Sequence, residues 1–333
     1  MKRFILCAAV LSLTSTGLSG IEPPIDPPAT FANSIGMKFV WIRPGSFVMG
    51  SPDDEEARNR DETQHKVTLT KGFYLGVHTV TQEQWQTVMG ANPSVHQGQK
   101  NLPVDNLSWI NCEAFLDKLS KKEGRTYRLP TEAEWEFACR AGTKTPFSFG
   151  GTITTDQANF NGRLSSYGNV ESSGFRGTTA PVGSYPANAW GLCEMHGNVW
   201  QWCADWYGDY PTGAVTDPRG LYADAKGAEE LVNRLSSQTF QVRQAANNAL
   251  REMGTAALSA LRRATISSPD LETRRRAEQL LAALPKHAEQ RVLRGGSFAT
   301  QASFTRSANR FPAQPDLRYE GFGFRVATDL KAD

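Results

Sequence analysis

The sequence lacks a large excess of charge of either sign. Its 333 residues include 36 Lys and Arg against 34 Asp and Glu, which gives a formal net charge of +2 at pH 7. Because attraction to nucleic acids depends on clustered positive charge, this balance gives no reason to expect a nucleic-acid partner. Hydrophobic residues make up 39% of the chain and charged residues 21%, which is typical of a globular protein.

Long hydrophobic runs are also scarce. The clearest one, Phe4–Leu13, follows two basic residues and precedes small residues near Ser19. This order predicts a secretory signal peptide over residues 1–20, so we expect a secreted or periplasmic protein. The run is too short to cross a bilayer, and no other segment is long and apolar enough, so no membrane span is expected. A stiff, Pro-rich leader is predicted for residues 21–33.

Cysteine is infrequent, and one of the five cysteines, Cys7, lies in the predicted signal peptide. An even number remains, which permits disulfides in an oxidising compartment, with three possible connectivities. Their spacing does not match a zinc site. Buried free thiols are equally compatible with a domain of this size. The four residues are Cys112, Cys139, Cys193 and Cys203.

Short catalytic motifs are missing as well. The chain has no P-loop, dinucleotide-binding or Gly-x-Ser-x-Gly motif in the right context. A group of three carboxylates, Glu132, Glu134 and Glu136, lies at a predicted helix start. Capping and pairing with the helix dipole are the simplest roles for these carboxylates.

The most distinctive segment that is present runs from Gly191 to Tyr207, with the sequence GLCEMHGNVWQWCADWY. A Gly-Asn turn is followed by an aromatic run, Val199–Trp206, which predicts a strand whose three tryptophans belong to the core. An alternative is that oxygen atoms of the turn surround a cation, and loops of this kind suit calcium. The side chains for that alternative are Glu194, Asn198 and Gln201.

Helix start signals recur before the aromatic segment. Thr81 with Gln84, and Thr131 with Glu134, have the spacing of a capping box, and a further helix is predicted from about Ser108 to Lys122. Two apolar runs within residues 37–50, on either side of a Pro-Gly pair, predict a β-hairpin.

The composition changes in residues 219–289, which contain no Trp and are rich in Ala, Leu and Arg. A pattern in this segment recurs after 31 residues, which is typical of stacked helical hairpins and resembles a HEAT repeat. We therefore predict one domain over residues 34–218 and 290–330, interrupted by a HEAT-like insertion. The matching positions are Arg243, Ala246 and Leu250 with Arg274, Ala277 and Leu281.

Six motifs occur in a fixed order: PGSFVMGS, LSW, RLPTEAEWEFACRAG, GLCEMHGNVWQWCADWY, LRGGSF and GFGFR. Together, over residues 34–216 and 291–330, they resemble the formylglycine-generating enzyme (sulfatase-modifying factor) family. The resemblance implies an α+β fold, a variant of the C-type lectin fold with little regular secondary structure. The predicted helical insertion would be an all-α addition to it.

The resemblance also implies an activity that this chain is not equipped to perform. The family's enzyme oxidises a substrate cysteine to formylglycine with copper held by two thiolates after a Gly-Gly-Ser motif. Here Thr300 and Thr305 occupy the corresponding region, and no cysteine follows Cys203. Since threonine is a poor replacement for a thiolate on Cu(I), copper and the oxidase activity are not expected. Trp200 and Ser297 match the family's active-site wall, so these residues and the two threonines are predicted to line a pocket without the metal.

Two calcium loops are a further implication of the resemblance. The first loop has lost its aspartate at Ser173 and is expected to be weak or empty, whereas the second keeps one carboxylate, so calcium is predicted there. The alternative is that the polar side chains of the second loop only bond backbone groups. The first set is Asn159, Phe160, Ser173 and Phe175, and the second is Glu194, Gly197, Val199 and Gln201.

A branch of the same family, the ergothioneine-synthase type, uses iron held by histidines of a helical bundle. None of the five histidines here forms a His-x-x-x-His pair, so that site is not indicated, and His196 is of interest only for its place in the aromatic segment. Three functions remain open. The chain is a family domain without oxidase activity, a lectin-like module that binds a protein or glycan, or an oxidoreductase with a different metal site.

Overall fold

The computed structural model describes residues 28–170, 174–218, 225–253, 257, 260–261, 264–265, 268–283 and 290–330. The predicted signal peptide, residues 21–27 of the predicted leader, and Ser173 lie outside these ranges. Within them, none of the helices has the length and apolar character needed to cross a membrane.

Short strands form three small sheets. The first has the order β1-β2-β5-β11, the second β10-β6-β8-β9 and the third β3-β4-β7. The pairs β10–β6 and β4–β7 are parallel, and the other neighbours are antiparallel. The strands are β1 (Thr30–Ala32), β2 (Lys38–Ile42), β3 (Gly45–Met49), β4 (His65–Leu69), β5 (Phe73–Gly76), β6 (Trp200–Trp206), β7 (Val215–Thr216), β8 (Arg291–Arg294), β9 (Arg310–Ala313), β10 (Phe322–Phe324) and β11 (Ala327–Asp329).

The hairpin predicted for residues 37–50 is wrong, although both of its strands exist. Strand β2 pairs with β1 and β5, whereas β3 pairs with β4 in another sheet. The chain changes sheets at Gly45, which packs so closely on Phe137 that an added Cβ would lie 2.8 Å from its ring. The end of the predicted leader, Thr30–Ala32, is the strand that occupies one edge of β2.

The three helices α1 (Gln82–Met89), α2 (Trp109–Glu123) and α3 (Glu132–Arg140) begin as the sequence predicts. Thr81 and Thr131 each accept a hydrogen bond from the backbone N–H three residues on, and the side chains of Gln84 and Glu134 bond back. Both predicted capping boxes are therefore confirmed. Helix α2 agrees with the predicted bounds to within a residue at each end, and Ser108 forms a capping box at its start.

The aromatic strand lies at the centre of the main domain. Trp200, Trp202 and Trp206 on β6 are 3%, 0% and 4% exposed, which confirms that they belong to the core. Helices α1 and α2 cover one side of the core, where Trp85 and Phe115 stack. Helix α3 covers another, with Trp135 completely buried. The segment that follows Gly191 is thus fixed on several sides.

Residues 225–283 include helices with a separate apolar cluster. These are α4 (Ala225–Asn233), α5 (Phe240–Met253) and α6 (Leu271–Ala282), with a 3₁₀ turn at Arg234–Ser236. Helix α5 contacts both α4 and α6. Helices α5 and α6 begin 31 residues apart, and the matching Ala246 and Ala277 are both buried. The helical character agrees with the sequence, and the HEAT-like relationship stays a prediction.

Candidate functional site

The Gly-Gly-Ser turn after β8 brings the predicted pocket residues together. Gly295 and Gly296 have φ values of +91° and +71°, in the left-handed region that favours glycine. A Cβ added to Gly296 would lie 2.7 Å from Thr305 Cγ2 and 3.1 Å from Thr300 Oγ1. Both threonines therefore lie directly against this turn. One at Gly295 would lie 3.0 Å from the ring of Trp135, so the turn has no spare room on that side either.

The hydroxyl groups of the two threonines bond nearby backbone. Thr300 Oγ1 donates to Ser297 O at 2.9 Å and accepts from Ser297 N at 3.0 Å. Thr305 Oγ1 donates to Ala302 O at 2.8 Å. Each hydroxyl is used in its own turn, and a hydroxyl is in any case a hard ligand that suits copper(I) poorly. The residues at this position do not fit the copper ion that the family resemblance implies.

Trp200 and Ser297, which match the family's active-site wall, lie on the same side of the fold. The Trp200 indole packs on aromatic rings, 5.3 Å from Phe311 and 6.2 Å from Phe304 between centroids. Ser297 is fully buried, and a Cβ on Gly321 would lie 3.1 Å from its Oγ. The wall is therefore closely packed.

His196 is completely buried and joins two loops. Its Nδ1 lies 2.7 Å from Thr305 O, and because a carbonyl only accepts, Nδ1 carries the proton. Nε2 then accepts from Ser148 N at 3.1 Å and Ser148 Oγ at 3.0 Å. Burial lowers the pKa of His196 to about 4, so the imidazole is neutral near pH 7. Both nitrogens serve hydrogen bonds between loops, which makes this histidine structural.

All four cysteines are free thiols, so the structure contains none of the three disulfide connectivities. Cys112, Cys139 and Cys203 are fully buried, whereas Cys193 is partly exposed. Cys139 Sγ lies 3.7 Å from His196 Nε2, and burial raises the pKa of this thiol to about 12. Although a Cys–His pair is a familiar nucleophilic arrangement, this thiol keeps its proton at neutral pH and is a core residue.

In the second predicted calcium loop, the oxygen of Gln201 is already used. Gln201 Oε1 accepts from Trp135 Nε1 at 2.9 Å and from Arg325 Nε at 3.1 Å. The amide nitrogen of Gln201 donates to Glu194 O at 2.9 Å, a contact of the kind that the backbone-bonding alternative predicts. A calcium ion on this oxygen would have to displace two donors, one of them a guanidinium, so the fit to calcium is poor. Calcium binding by this loop stays a prediction.

Arg325 adds a buried positive charge next to that loop. Its guanidinium donates to the carbonyl oxygens of Gly76, Val77 and Cys193 at 2.5–2.6 Å. Burial lowers the pKa of Arg325 to about 10, while the carboxylate of Glu194 acts in the opposite direction. The group ties strand β5 and the β10–β11 segment to the loop that precedes β6.

Gly197 and Asn198 form the turn itself. An added Cβ at Gly197 would lie 2.4 Å from Asn159 O, so only glycine fits there. Asn198 Oδ1 accepts from Asn159 Nδ2 and Ala180 N, and Asn198 Nδ2 donates to Ala180 O. The Asn198 side chain thus joins three chain segments instead of facing a cation. Val199, the next residue, is fully buried.

The first predicted calcium set is described only in part, because Ser173 lies outside the described residues. Asn159 uses its amide nitrogen to donate to Thr178 O and Asn198 Oδ1 at 3.0 and 3.1 Å. Phe160 is buried and Phe175 is partly exposed. Calcium at these residues stays a prediction too.

Two of the three carboxylates assigned to capping have another role. Glu134 completes the capping box, but Glu136 pairs with Arg294 and Arg140, and Glu132 pairs with Arg310 at 2.8 Å. Glu132 and Glu136 differ by one helical turn and face inward, where their charges need partners. The Arg-rich segment after the Gly-Gly-Ser motif supplies those partners, and its spacing was the available signal.

A cleft near α3 was missed by sequence reasoning. It has a volume of 440 Å³ and is lined by residues that include His65, Glu132, Asp205, Tyr210 and Arg310. Asp205 is fully buried, and burial together with the charge of Glu132 raises its pKa to about 8. Asp205 Oδ2 accepts from Glu132 N at 2.8 Å, so the carboxyl group is held against the start of α3.

Comparison with known proteins identifies the family. The model of the sulfatase-modifying factor enzyme 1-like domain matches residues 28–330. The chain belongs to this family. Formylglycine-generating enzyme from Mus musculus is 36% identical over 226 residues, which cover 51% of this chain and 58% of the relative. Serine/threonine-protein kinase pkn1 from Chlamydia caviae is 31% identical over 197 residues, 51% of this chain and 28% of the relative.

Among solved structures, PvdO from Pseudomonas aeruginosa superimposes with a TM-score of 0.61 at 26% identity. The alignment covers 92% of this chain and 99% of PvdO. The mixed α and β fold is therefore that of the family, consistent with the predicted lectin-like architecture. The matched part spans only 28% of the kinase and 58% of the mouse enzyme, so those proteins contain much that has no counterpart in the matched region.

Proposed function

We propose that this chain is a secreted formylglycine-generating-enzyme-like domain that does not oxidise cysteine to formylglycine. The observation that carries the proposal is the pair of threonines at the Gly-Gly-Ser turn. Thr300 and Thr305 both lie within 3.1 Å of one point beside Gly296, and their hydroxyls bond local backbone. A soft copper ion finds no thiolate there.

The remaining thiols support the same proposal, because they lie elsewhere and most are inaccessible. Cys112 and Cys203 are fully buried, and burial raises the pKa of each well above its usual range. Cys139 is buried beside His196 with a pKa near 12. Metal ligation requires the thiolate, so these three thiols are poor ligands at neutral pH.

The test is an oxidation assay on a cysteine-containing sulfatase peptide, with copper and oxygen supplied. We expect the peptide mass to remain unchanged, whereas formylglycine formation would lower it by roughly 18 Da through exchange of the thiol function that copper activates for a carbonyl. A mass loss of that size in the wild-type reaction would refute the proposal.

A gain-of-ligand variant makes the assay sharper. The double variant Thr300→Cys, Thr305→Cys restores two thiols against Gly296, and each single variant is a matched control. We expect tight Cu(I) binding by the double variant only, since one thiol does not provide the pair. Equal binding by wild type would show that copper is held by other residues.

A second candidate function is a lectin-like module that binds a protein or glycan. It is favoured by the long segment between α3 and β6, which is ordered without regular secondary structure by side chains such as Asn159, Asn188 and Asn198. Loops fixed on a rigid domain are common binding surfaces. A glycan array probed with labelled protein tests it, and saturable binding to one structural class supports the module. The third possibility, an oxidoreductase with a different metal, requires a metal site that the threonine pair does not provide.

A further inference from the structure

Three side chains with different metal-ligating atoms meet outside the threonine pocket. His78 follows β5, and Cys193 and Glu194 are adjacent in the loop before β6. A ring nitrogen, the thiol sulfur and a carboxylate oxygen of these residues all lie within 4.8 Å of one another. None of the three was paired with the others by sequence reasoning, since His78 is far away along the chain.

The spacing of two of these atoms matches shared coordination. His78 Nδ1 lies 3.5 Å from Glu194 Oε2, which is long for a hydrogen bond involving a ring nitrogen. Two ligands at about 2.1 Å from a tetrahedral ion are about 3.4 Å apart. The imidazole and the carboxylate can therefore bind one ion with little movement.

Neighbouring groups orient all three ligands. Gly183 N donates to Glu194 Oε1 at 2.8 Å, which leaves Oε2 on the side of His78. Gly183 has a φ of +78°, and a Cβ there would lie 3.3 Å from His78 Cε1, so glycine allows the imidazole to pack closely. Cys193 N donates to Val77 O at 3.0 Å, which fixes the two segments together. Such support from hydrogen bonds is what a preformed metal site needs.

The cluster is accessible from solvent on one side. The His78 side chain is 27% exposed, and Cys193 is the only one of the four cysteines that is not buried. Glu194 is buried beneath them. An ion can therefore enter, and a fourth coordination position can face solvent, as in zinc sites with three protein ligands.

We propose that His78, Cys193 and Glu194 form a Zn²⁺ site with an open fourth position. A nitrogen, a sulfur and an oxygen ligand suit zinc, a borderline-soft ion, and do not suit calcium, which takes six to eight oxygens. This assignment gives Glu194 a partner ion other than the predicted calcium. It goes beyond the proposed function and is independent of the threonine pair.

The charges near the site are compatible with a divalent cation. A Cys193 thiolate and the Glu194 carboxylate contribute two negative charges. The guanidinium of Arg325 opposes the cation, but it also favours the thiolate form of Cys193 against burial and the charge of Glu194. Zinc binding releases the thiol proton, so the ligand charge is largest when the ion is present.

The test is a Co²⁺ titration of metal-free protein, followed by displacement with Zn²⁺. We expect a near-ultraviolet thiolate-to-cobalt charge-transfer band and intense visible bands of a four-coordinate ion, both lost on addition of Zn²⁺. Cys193→Ser should abolish the charge-transfer band. His78→Gln and Glu194→Gln should each weaken affinity at least tenfold. Cys112→Ala and His65→Gln, which remove a thiol and an imidazole elsewhere, should leave the titration unchanged.

A measurement on the wild-type chain covers the case in which Cys193→Ser does not fold. Iodoacetamide should alkylate Cys193 faster than the three buried cysteines, and Zn²⁺ should slow that reaction at least tenfold, as read by peptide mass spectrometry. Absence of the charge-transfer band, a band that survives in Cys193→Ser, or no protection from alkylation would each overturn the zinc site. So would displacement of Co²⁺ by equimolar Ca²⁺, which would assign the carboxylate to calcium.

Discussion

Replacement of Arg306 by methionine should strongly destabilise the domain at neutral pH. Arg306 is completely buried and bonds Glu55 Oε1 at 2.6 Å and both carboxylate oxygens of Glu62 at 2.8 Å. Methionine keeps much of the volume but leaves two carboxylates without their cation. Removal of one partner of a buried ion pair costs about 3–5 kcal/mol, and we expect a loss of this size in the free energy of unfolding.

The loss should depend on pH in a direction that the two carboxylates define. Burial acts to raise the pKa of Glu62, but Arg306 outweighs it and the net pKa is lowered from 4.5. This group therefore stabilises the wild type above about pH 4.5, and that contribution is lost as the pH falls. In the variant, burial alone acts and both pKa values rise, so protonation relieves the cost in acid. The difference between the two proteins should be largest near pH 7 and should narrow towards pH 4.

Urea denaturation at pH 7 and at pH 4.5 measures the effect. Arg234→Met is the matched control, because the Arg234–Glu230 pair is exposed on α4 and exposed pairs contribute about 0–1 kcal/mol. The triple variant Glu55→Gln, Glu62→Gln, Arg306→Met should recover part of the loss. If Arg306→Met is no less stable than the control, or if the difference does not narrow in acid, the carboxylates are not held by this arginine.

Three further predictions follow from the sequence and the buried histidine. Exported protein should begin near residue 20, and N-terminal sequencing that starts at Met1 would contradict the predicted signal peptide. Replacement of residues 219–289 by a short Gly-Ser linker should leave one cooperative thermal transition, because surface insertions add little closure entropy, and loss of that transition would place the insertion in the core. His196 is neutral when folded with a pKa of about 4, so wild-type stability should fall as the pH drops from about 6.5 towards 4, by on the order of 2 kcal/mol. His196→Gln should flatten that dependence in calorimetry, and an unchanged slope would assign it to other groups.

Features encoded within a few residues were predictable. Thr81 and Thr131 define helix starts through contacts three residues away, and the tryptophans of β6 could only be accommodated in a core. The order of the family motifs was likewise sufficient for the fold. These signals are local or are read as words, so one sequence contains all of the information they require.

Contacts between distant segments were not predictable in the same way. The pairing of β2 with β5 instead of β3 depends on where Phe137 lies, and the partners of Glu132 and Glu136 come from a segment more than 150 residues later. His78 likewise meets Glu194 only in the folded chain, 116 residues away. Nothing in the local pattern of these residues distinguishes a partner from a solvated charge.

Strands β6 and β8 are direct antiparallel neighbours, yet β6 ends at Trp206 and β8 begins at Arg291. At a synthesis rate of roughly 5–20 residues per second, several seconds pass between the emergence of the first strand and that of the second. During this time the edge of β6, with its indoles, has no partner, and Glu132 and Glu136 await arginines that have not yet been made. The nascent domain is therefore open at its centre until its last segment arrives. Its yield in cells should depend on chaperones that shield β6 while the helices of the insertion are being translated.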